Sequence, residues 1–377
     1  MPVTFVGSAM TNDGSETRAR SGAMFDKDYT LRLAQAHEES GWDRLLIAYR
    51  SNWPDPAQVA AYLAANTDRM EFLVAHRPNV SYPTFAATTF ATFDHVTDGR
   101  LTLHFISGAF DDDQQREGDY LTKDERYART REYMQIIKKA WTSHEPFDYE
   151  GQYYRFTDFV SDVFPAQQPR PALSFGGSSA AAYAVGGAEA DIYGLWAESL
   201  AGTAEQIKSI RAAARAAGRT DTPRLHVAFR PIIAATEELA WDKAHRVVDR
   251  IHARKQGLSK SADVASYRLR RLAEKGERYD RALWTGTVAA TGGGGPVAAL
   301  VGTPETVAAA LLDYIDLGVE IIAAHGYDYA EDAVEFGREV IPIVREEVAK
   351  RDAQRQTGPA AETRASAVAS GSPAVGG

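Results

Sequence analysis

The sequence predicts an α/β protein, a (β/α)8 TIM barrel with insertions, and three observations carry that expectation. Eight short apolar runs alternate with amphipathic stretches, the pattern of repeated βα units on a parallel sheet. Helix-stopping and helix-starting residues punctuate the alternation. The length of 377 residues suits one barrel with insertions. An open doubly wound sheet would satisfy the same alternation, because closure is not visible in a sequence.

The elements follow in order. Val3–Val6 is the first strand, and Tyr29–Ser40 a helix stopped by Gly41. Arg44–Ala48 and the helix Pro56–Asn66 form the second unit. Phe72–Ala75 and Pro83–Val96 form the third, ending at Asp98-Gly99. Leu101–Ile106 is the fourth strand, followed by the long helix Asp124–Ser143 and a small excursion around Gln152–Phe156. Leu173–Phe175 is the fifth strand, with a helix starting at Ser179–Gly186. Ile192–Leu195 is the sixth, and Thr203 with Gln206 reads as a capping box for a helix reaching Ala217. Leu225–Ile233 is the seventh. Thr303-Pro304-Glu305 supplies a cap, a first-turn proline and a first-turn acid to the helix Glu305–Leu317. Glu320–Ala324 is the eighth strand and Ala330–Lys350 the closing helix.

We therefore expect one catalytic domain over residues 1–353. It carries a mobile insertion at about 238–296, because the four glycines Gly292 to Gly295 cannot pack a core. Residues 354–377, rich in Ala, Gly and Ser, read as a disordered tail.

Composition limits the function. A net charge of −9 argues against nucleic-acid or anionic-membrane surfaces, which need a basic face. The absence of cysteine removes disulfides, thiolate catalysis and cysteine–zinc sites. No apolar run approaches the ~18 residues needed to span a bilayer, and Met1 to Ser21 lacks a signal-peptide pattern. The expected location is cytoplasmic.

Several strand ends carry polar groups. Phe175-Gly176-Gly177-Ser178-Ser179 joins a strand to a helix, where backbone N–H groups and the helix N-terminus favour a phosphate; the alternative is a plain tight turn. Ile106-Ser107-Gly108 ends strand four, three residues after His104, so alternation does not require those two side chains to share a face. A buried, hydrogen-bonded histidine is the competing reading of His104. His76-Arg77-Pro78 ends strand three. His226, Ala228 and Arg230 share one face of strand seven, and a guanidinium there demands an anionic partner. Asp111-Asp112-Asp113 has no accompanying histidine pair at ligand spacing, so no metal site is expected. Trp196 follows strand six, and its simplest reading is packing.

Taken together, these and further segments resemble the bacterial-luciferase-like flavin-dependent monooxygenases, and among them the alkanesulfonate monooxygenases. The resemblance runs through Phe72–Pro78, Ser81–Thr84, Phe93–Arg100, Ile106–Gly108, Asp124–Tyr127, Phe164–Pro169, Phe175–Ser179, Trp196, Leu300–Thr303 and His325–Tyr327. It implies FMN bound at the barrel mouth, reduced to FMNH2 by a separate NAD(P)H:flavin reductase, with O2 and a small organic substrate. It also implies a homo-oligomer, a dimer or tetramer. Ser107, Tyr127, Gly177, Ser178, Ser179 and Trp196 match cofactor-side positions, and Tyr327 an active-site tyrosine. The departures are as specific. Arg50-Ser51-Asn52-Trp53 replaces a cysteine segment, Arg230 stands for a histidine, and Ala228 and Thr291 stand for arginines. His104 stands for an asparagine, and His76 for an apolar residue. Catalytic roles therefore fall to Arg230, His76, His104 and Tyr327, with an anionic or organosulfur substrate. The competing functions are an F420-dependent oxidoreductase on the same barrel, a metal-dependent hydrolase and a non-catalytic flavin-binding protein.

Overall fold

Alternation sorts the strand residues into two faces, both apolar, as parallel strands covered on each side require. In the computed structural model, which describes residues 2–108, 110–254, 263–295 and 297–357, Val6, Leu73, Ile192, Ile321 and Ala323 pack inside the ring. Phe5, Leu45, Phe72, Phe105 and Phe175 belong to the layer beneath the helices.

The ring strands are β1 (Thr4–Ser8), β2 (Arg44–Ile47), β3 (Glu71–His76), β4 (Leu101–Phe105), β5 (Ala172–Gly176), β6 (Ile192–Trp196), β7 (Arg224–Ile233) and β8 (Val319–Ala324). Each pairs in parallel with the next, and β8 returns to β1 with Thr4 opposite Ile321. The barrel is closed, which removes the open-sheet alternative. Strand β7 outlasts its neighbours: Arg230–Ile233 extend past the ring and pair with Ala299–Gly302.

Helix starts follow side-chain caps. Asp26 caps α1 (Lys27–Glu39), and Asp55 caps α2 (Pro56–Ala64). After α3 (Pro83–Val96), Thr122 and Glu125 form a full capping box for α4 (Lys123–Thr142). Ser179 caps α5 (Ala180–Glu189).

Two expectations change and two gain detail. Ser199, not Thr203, caps α6 (Leu200–Ala216), accepting from the Gly202 amide; Thr203 is buried one turn inside. The closing helix divides into Tyr329–Glu339 and Ile341–Thr357, with Pro342 in the first turn of the second, where its missing N–H costs nothing. The excursion after α4 is a hairpin of Phe147–Glu150 and Arg155–Phe159. Much of 238–296 is regular: helices Glu237–Ala253, Val264–Lys275 and Gly286–Thr291, plus the paired strands Arg278–Tyr279 and Leu283–Trp284. Gly292, with φ 72°, ends the last of these helices in the left-handed region. Residues 255–262, Pro296 and the expected tail from 358 onward lie outside the described residues.

Candidate functional site

The C-terminal ends of the strands surround a cavity of about 350 Å³. Residues from all eight ring strands or the segments behind them reach it, and all six cofactor-side candidates are among its walls: Ser107, Tyr127, Gly177, Ser178, Ser179 and Trp196.

One end has the features that an anion would need. Gly177 has φ 142°, and a Cβ there would stand 2.8 Å from the Ala182 Cβ, so only glycine lets β5 turn so tightly into α5. Ser179 then caps α5, its Oγ accepting from the Ala182 N–H at 3.1 Å. The remaining first-turn N–H groups and the helix dipole favour negative charge. Tyr127 approaches from α4. Burial raises its phenol above the usual pKa, against the opposing pull of the Ser179 hydroxyl, so it remains a donor. Lys123 lines the same end, one helical turn before Tyr127. Sequence reasoning missed Lys123, although its i,i+4 spacing to Tyr127 was visible.

Ser107 is fixed from both sides: its Oγ shares a hydrogen bond with Thr130 Oγ1 at 2.8 Å, and its carbonyl accepts from Arg126 Nε at 3.1 Å. His104 and Ser107 both face the cavity because β4 ends at Phe105 and the chain bends after it.

The rest of the lining includes Leu46, Leu73, Leu195, Phe110 and Trp196, with His104, His226 and His325 as its imidazoles. Burial pushes all three down, His104 to about 4, His226 to about 3 and His325 to about 3, so they are neutral at pH 7. Sequence reasoning put His226 on one face with Ala228 and Arg230 without giving it a role, and named His325 only within a matching segment.

Three catalytic candidates are not brought to the cavity. His76 points outward from β3 into the helix layer, bonding Tyr133 Oη at 2.8 Å and packing on Phe90 and Phe105. Arg230 is 1% exposed and already neutralised. Its Nη1 and Nη2 donate to Glu16 at 3.0 and 3.1 Å, Nη2 also to the Gly326 carbonyl at 2.9 Å. Burial disfavours the Glu16 charge, yet Arg230 outweighs it and holds the carboxyl at about 2. Tyr327 lies under the guanidinium, its ring centre 4.0 Å from Arg230 Cζ. Arg77 lines the cavity but is engaged by Asp113 at 2.5 Å and Glu117 at 2.7 Å. Asp111 pairs with Arg126, and no group of three or more metal-ligating side chains occurs among the described residues.

A smaller cavity of about 170 Å³ adjoins under the β1–α1 loop, lined by Arg18, Arg20, Trp53 and Arg254 among others. It lacks both the helix N-terminus and the glycine cradle of the larger one.

Residues 3–320 match the model of the family described as luciferase-like monooxygenase. Among solved structures, a riboflavin lyase described with modified FMN and riboflavin is 23% identical, with 92% of each chain covered and a TM-score of 0.76. The EDTA monooxygenase of Chelativorans sp. BNC1 is 18% identical, with 92% of this chain and 94% of that one covered and a TM-score of 0.75. An F420-dependent secondary alcohol dehydrogenase is 15% identical, with 91% and 99% covered and a TM-score of 0.68. At these identities the likeness establishes the barrel.

Proposed function

The chain belongs to the luciferase-like monooxygenase family, and from that premise we propose that it is the oxygenating member of a two-component system. It takes FMNH2 from an NAD(P)H:flavin reductase and uses O2 to oxygenate a small organic substrate. The observation that carries this reading is the convergence of Ser107, Tyr127, Gly177, Ser178, Ser179 and Trp196 on one cavity.

The residues present fit the cofactor. The bare backbone at Gly177, the α5 N-terminus, the hydroxyls of Tyr127, Ser178 and Ser179, and the Lys123 ammonium suit a terminal phosphate. The apolar walls suit a flat ring and exclude water. Bound reduced flavin supplies the electrons that activate O2. The protein's part is to position that ring, with His104 and Ser107 as the polar groups beside it, and to keep the chamber dry.

Arg230 cannot take an anionic substrate while Glu16 holds it, so its assignment moves from substrate binding to fixing the β1–α1 loop. Thr17 Oγ1 also donates to the Tyr327 carbonyl at 3.4 Å, tying the same loop to the β8 end.

Titration with FMN tests the cofactor. Ser179→Ala should weaken FMN about tenfold, the worth of one hydrogen bond to a charged group. Oxygen uptake with FMNH2 and candidate substrates tests the reaction. Reduced F420 under anaerobic conditions tests the competing hydride-transfer reading; turnover there and none with FMNH2 would replace the proposal. Light scattering checks the homo-oligomer.

A further inference from the structure

The smaller cavity has a charge opposite to that of the chain around it. The protein's net charge is −9. Yet this cavity of about 170 Å³ is lined by Arg18, Arg20 and Arg254, with no carboxylate among its lining residues. Asp13 pairs with Arg18 at 3.3 Å. The other two guanidiniums meet neutral acceptors: Arg20 donates to Met24 Sδ at 2.9 Å, and Arg254 to the carbonyls of Ser15 and Arg18.

Arg50 carries this cationic surface on to the larger cavity, which it lines with its side chain exposed. Its guanidinium carbon lies 5.3 Å from the ring centre of Trp53, a wall of the smaller cavity. It lies 5.7 Å from that of Phe110, a wall of the larger. Two aromatic rings orient a guanidinium without neutralising it. A carboxylate would do both, and none pairs with Arg50 among the described residues. Other arginines at the strand ends are treated differently: Arg77 is held by Asp113 and Glu117, and Arg230 by Glu16. The chain supplies acids to its buried guanidiniums and withholds them from Arg20, Arg50 and Arg254.

We infer that the smaller cavity and Arg50 form a subsite for an organic carboxylate, the head group of the substrate. The planar fork of Arg50 takes the carboxylate through paired N–H donors, and Arg20 adds a second positive charge. The apolar remainder of the substrate passes Trp53 and Phe110 into the larger cavity. Arg254 keeps the β1–α1 loop in place through the two carbonyls. The inference rests on the flavin reading of the larger cavity for the fate of the substrate, and not for recognition of its head group.

Octanoate is the probe, and octanamide, the same chain with an uncharged head, is the comparison. Affinities are measured by calorimetry on flavin-free protein and again with saturating FMN. The proteins are wild type, Arg50→Gln, Arg50→Lys and Arg20→Gln; both side chains are exposed, so the unfolding midpoints should not move. Octanoate should bind about tenfold more weakly to Arg50→Gln, with Arg50→Lys in between. Arg20→Gln should weaken it about threefold. Octanamide should bind all four proteins equally, and more weakly than octanoate binds the wild type. Equal binding of octanoate and octanamide to wild type, no octanoate binding, or an unchanged affinity in Arg50→Gln overturns the subsite. Displacement of octanoate by FMN overturns it too, as does an equal loss of FMN affinity in Arg50→Gln, since either result moves the anion or the arginine to the cofactor. FMN that fails to bind overturns the cofactor reading alone, because octanoate on flavin-free protein still decides this one.

Discussion

The two sides of the barrel mouth treat similar side chains in opposite ways. Around β4 and β5, Ser107, Ser179 and His104 each bond to a neighbouring group and still line the cavity. Around β7 and β8, the strongest cation is closed off: Arg230 is forked onto Glu16, stacked on Tyr327 and buried. A polar residue at a barrel strand's C-terminal end thus marks a binding position only if the chain leaves part of its bonding capacity unused. The first side is a receptor; the second holds a clasp beside its own cavity-lining imidazoles, His226 and His325.

The largest effect that tests this contrast is on the clasp. Glu16→Ala strands a buried guanidinium and should cost roughly 3–5 kcal/mol in urea unfolding, whereas Glu16→Leu combined with Arg230→Met should recover most of it. A loss below about 1 kcal/mol would make the pair an ordinary surface contact. On the receptor side, Gly177→Ala forces a side chain into φ 142° against Ala182. The strain is about 1–3 kcal/mol, and calorimetry should show FMN affinity falling at least tenfold.

Acid should separate the two sides. His104, His226 and His325 titrate near 4, 3 and 3 when folded, against 6.5 ordinarily. The unfolded chain takes up protons first, so the stability present above pH 6.5 drains as pH falls towards 3. His37 and His76, lowered to about 4 and about 3 by burial, share that window. Glu16, at about 2 against 4.5, reaches lower: its contribution is intact above 4.5 and lost as pH falls through 2. Thermal midpoints across pH should flatten in the upper window for His226→Gln and in the lower for Glu16→Gln. The smallest effect belongs to a residue on neither side. His76→Phe removes one hydrogen bond to Tyr133, which Ser81 also contacts at 3.2 Å. It should cost about 1 kcal/mol and leave FMN affinity unchanged.

What the sequence disclosed tracks the range of the interactions involved. All eight strands were found within a residue or two, since each is a local apolar run. Closure was not, because β1 and β8 meet across residues as distant as Thr4 and Ile321. The Thr303 cap was read correctly because Pro304 and Glu305 confirm it locally. Thr203 was misread because Ser199 offers a rival cap four residues earlier, and only the end of β6 decides between them. The phosphate-end residues are contiguous and came through. Arg230 did not, since its partner Glu16 is 214 residues away. His76 failed on phase: β3 is apolar on both faces, so alternation alone could not say that Leu73 points in and His76 out.

The overlong seventh strand has a consequence for how such a barrel can be altered. Its last four residues pair with Ala299–Gly302, Arg230 opposite Ala299 and Ile233 opposite Gly302. The polypeptide between them therefore departs and returns on adjacent strands, which in any sheet lie about 5 Å apart. A stretch attached at two neighbouring points is a cartridge: exchanging it for a shorter or longer one leaves every hydrogen bond of the eight-strand ring in place. Diversity at this rim is then cheap to acquire, by recombination in a lineage or by grafting at the bench, without renegotiating the barrel that supports it.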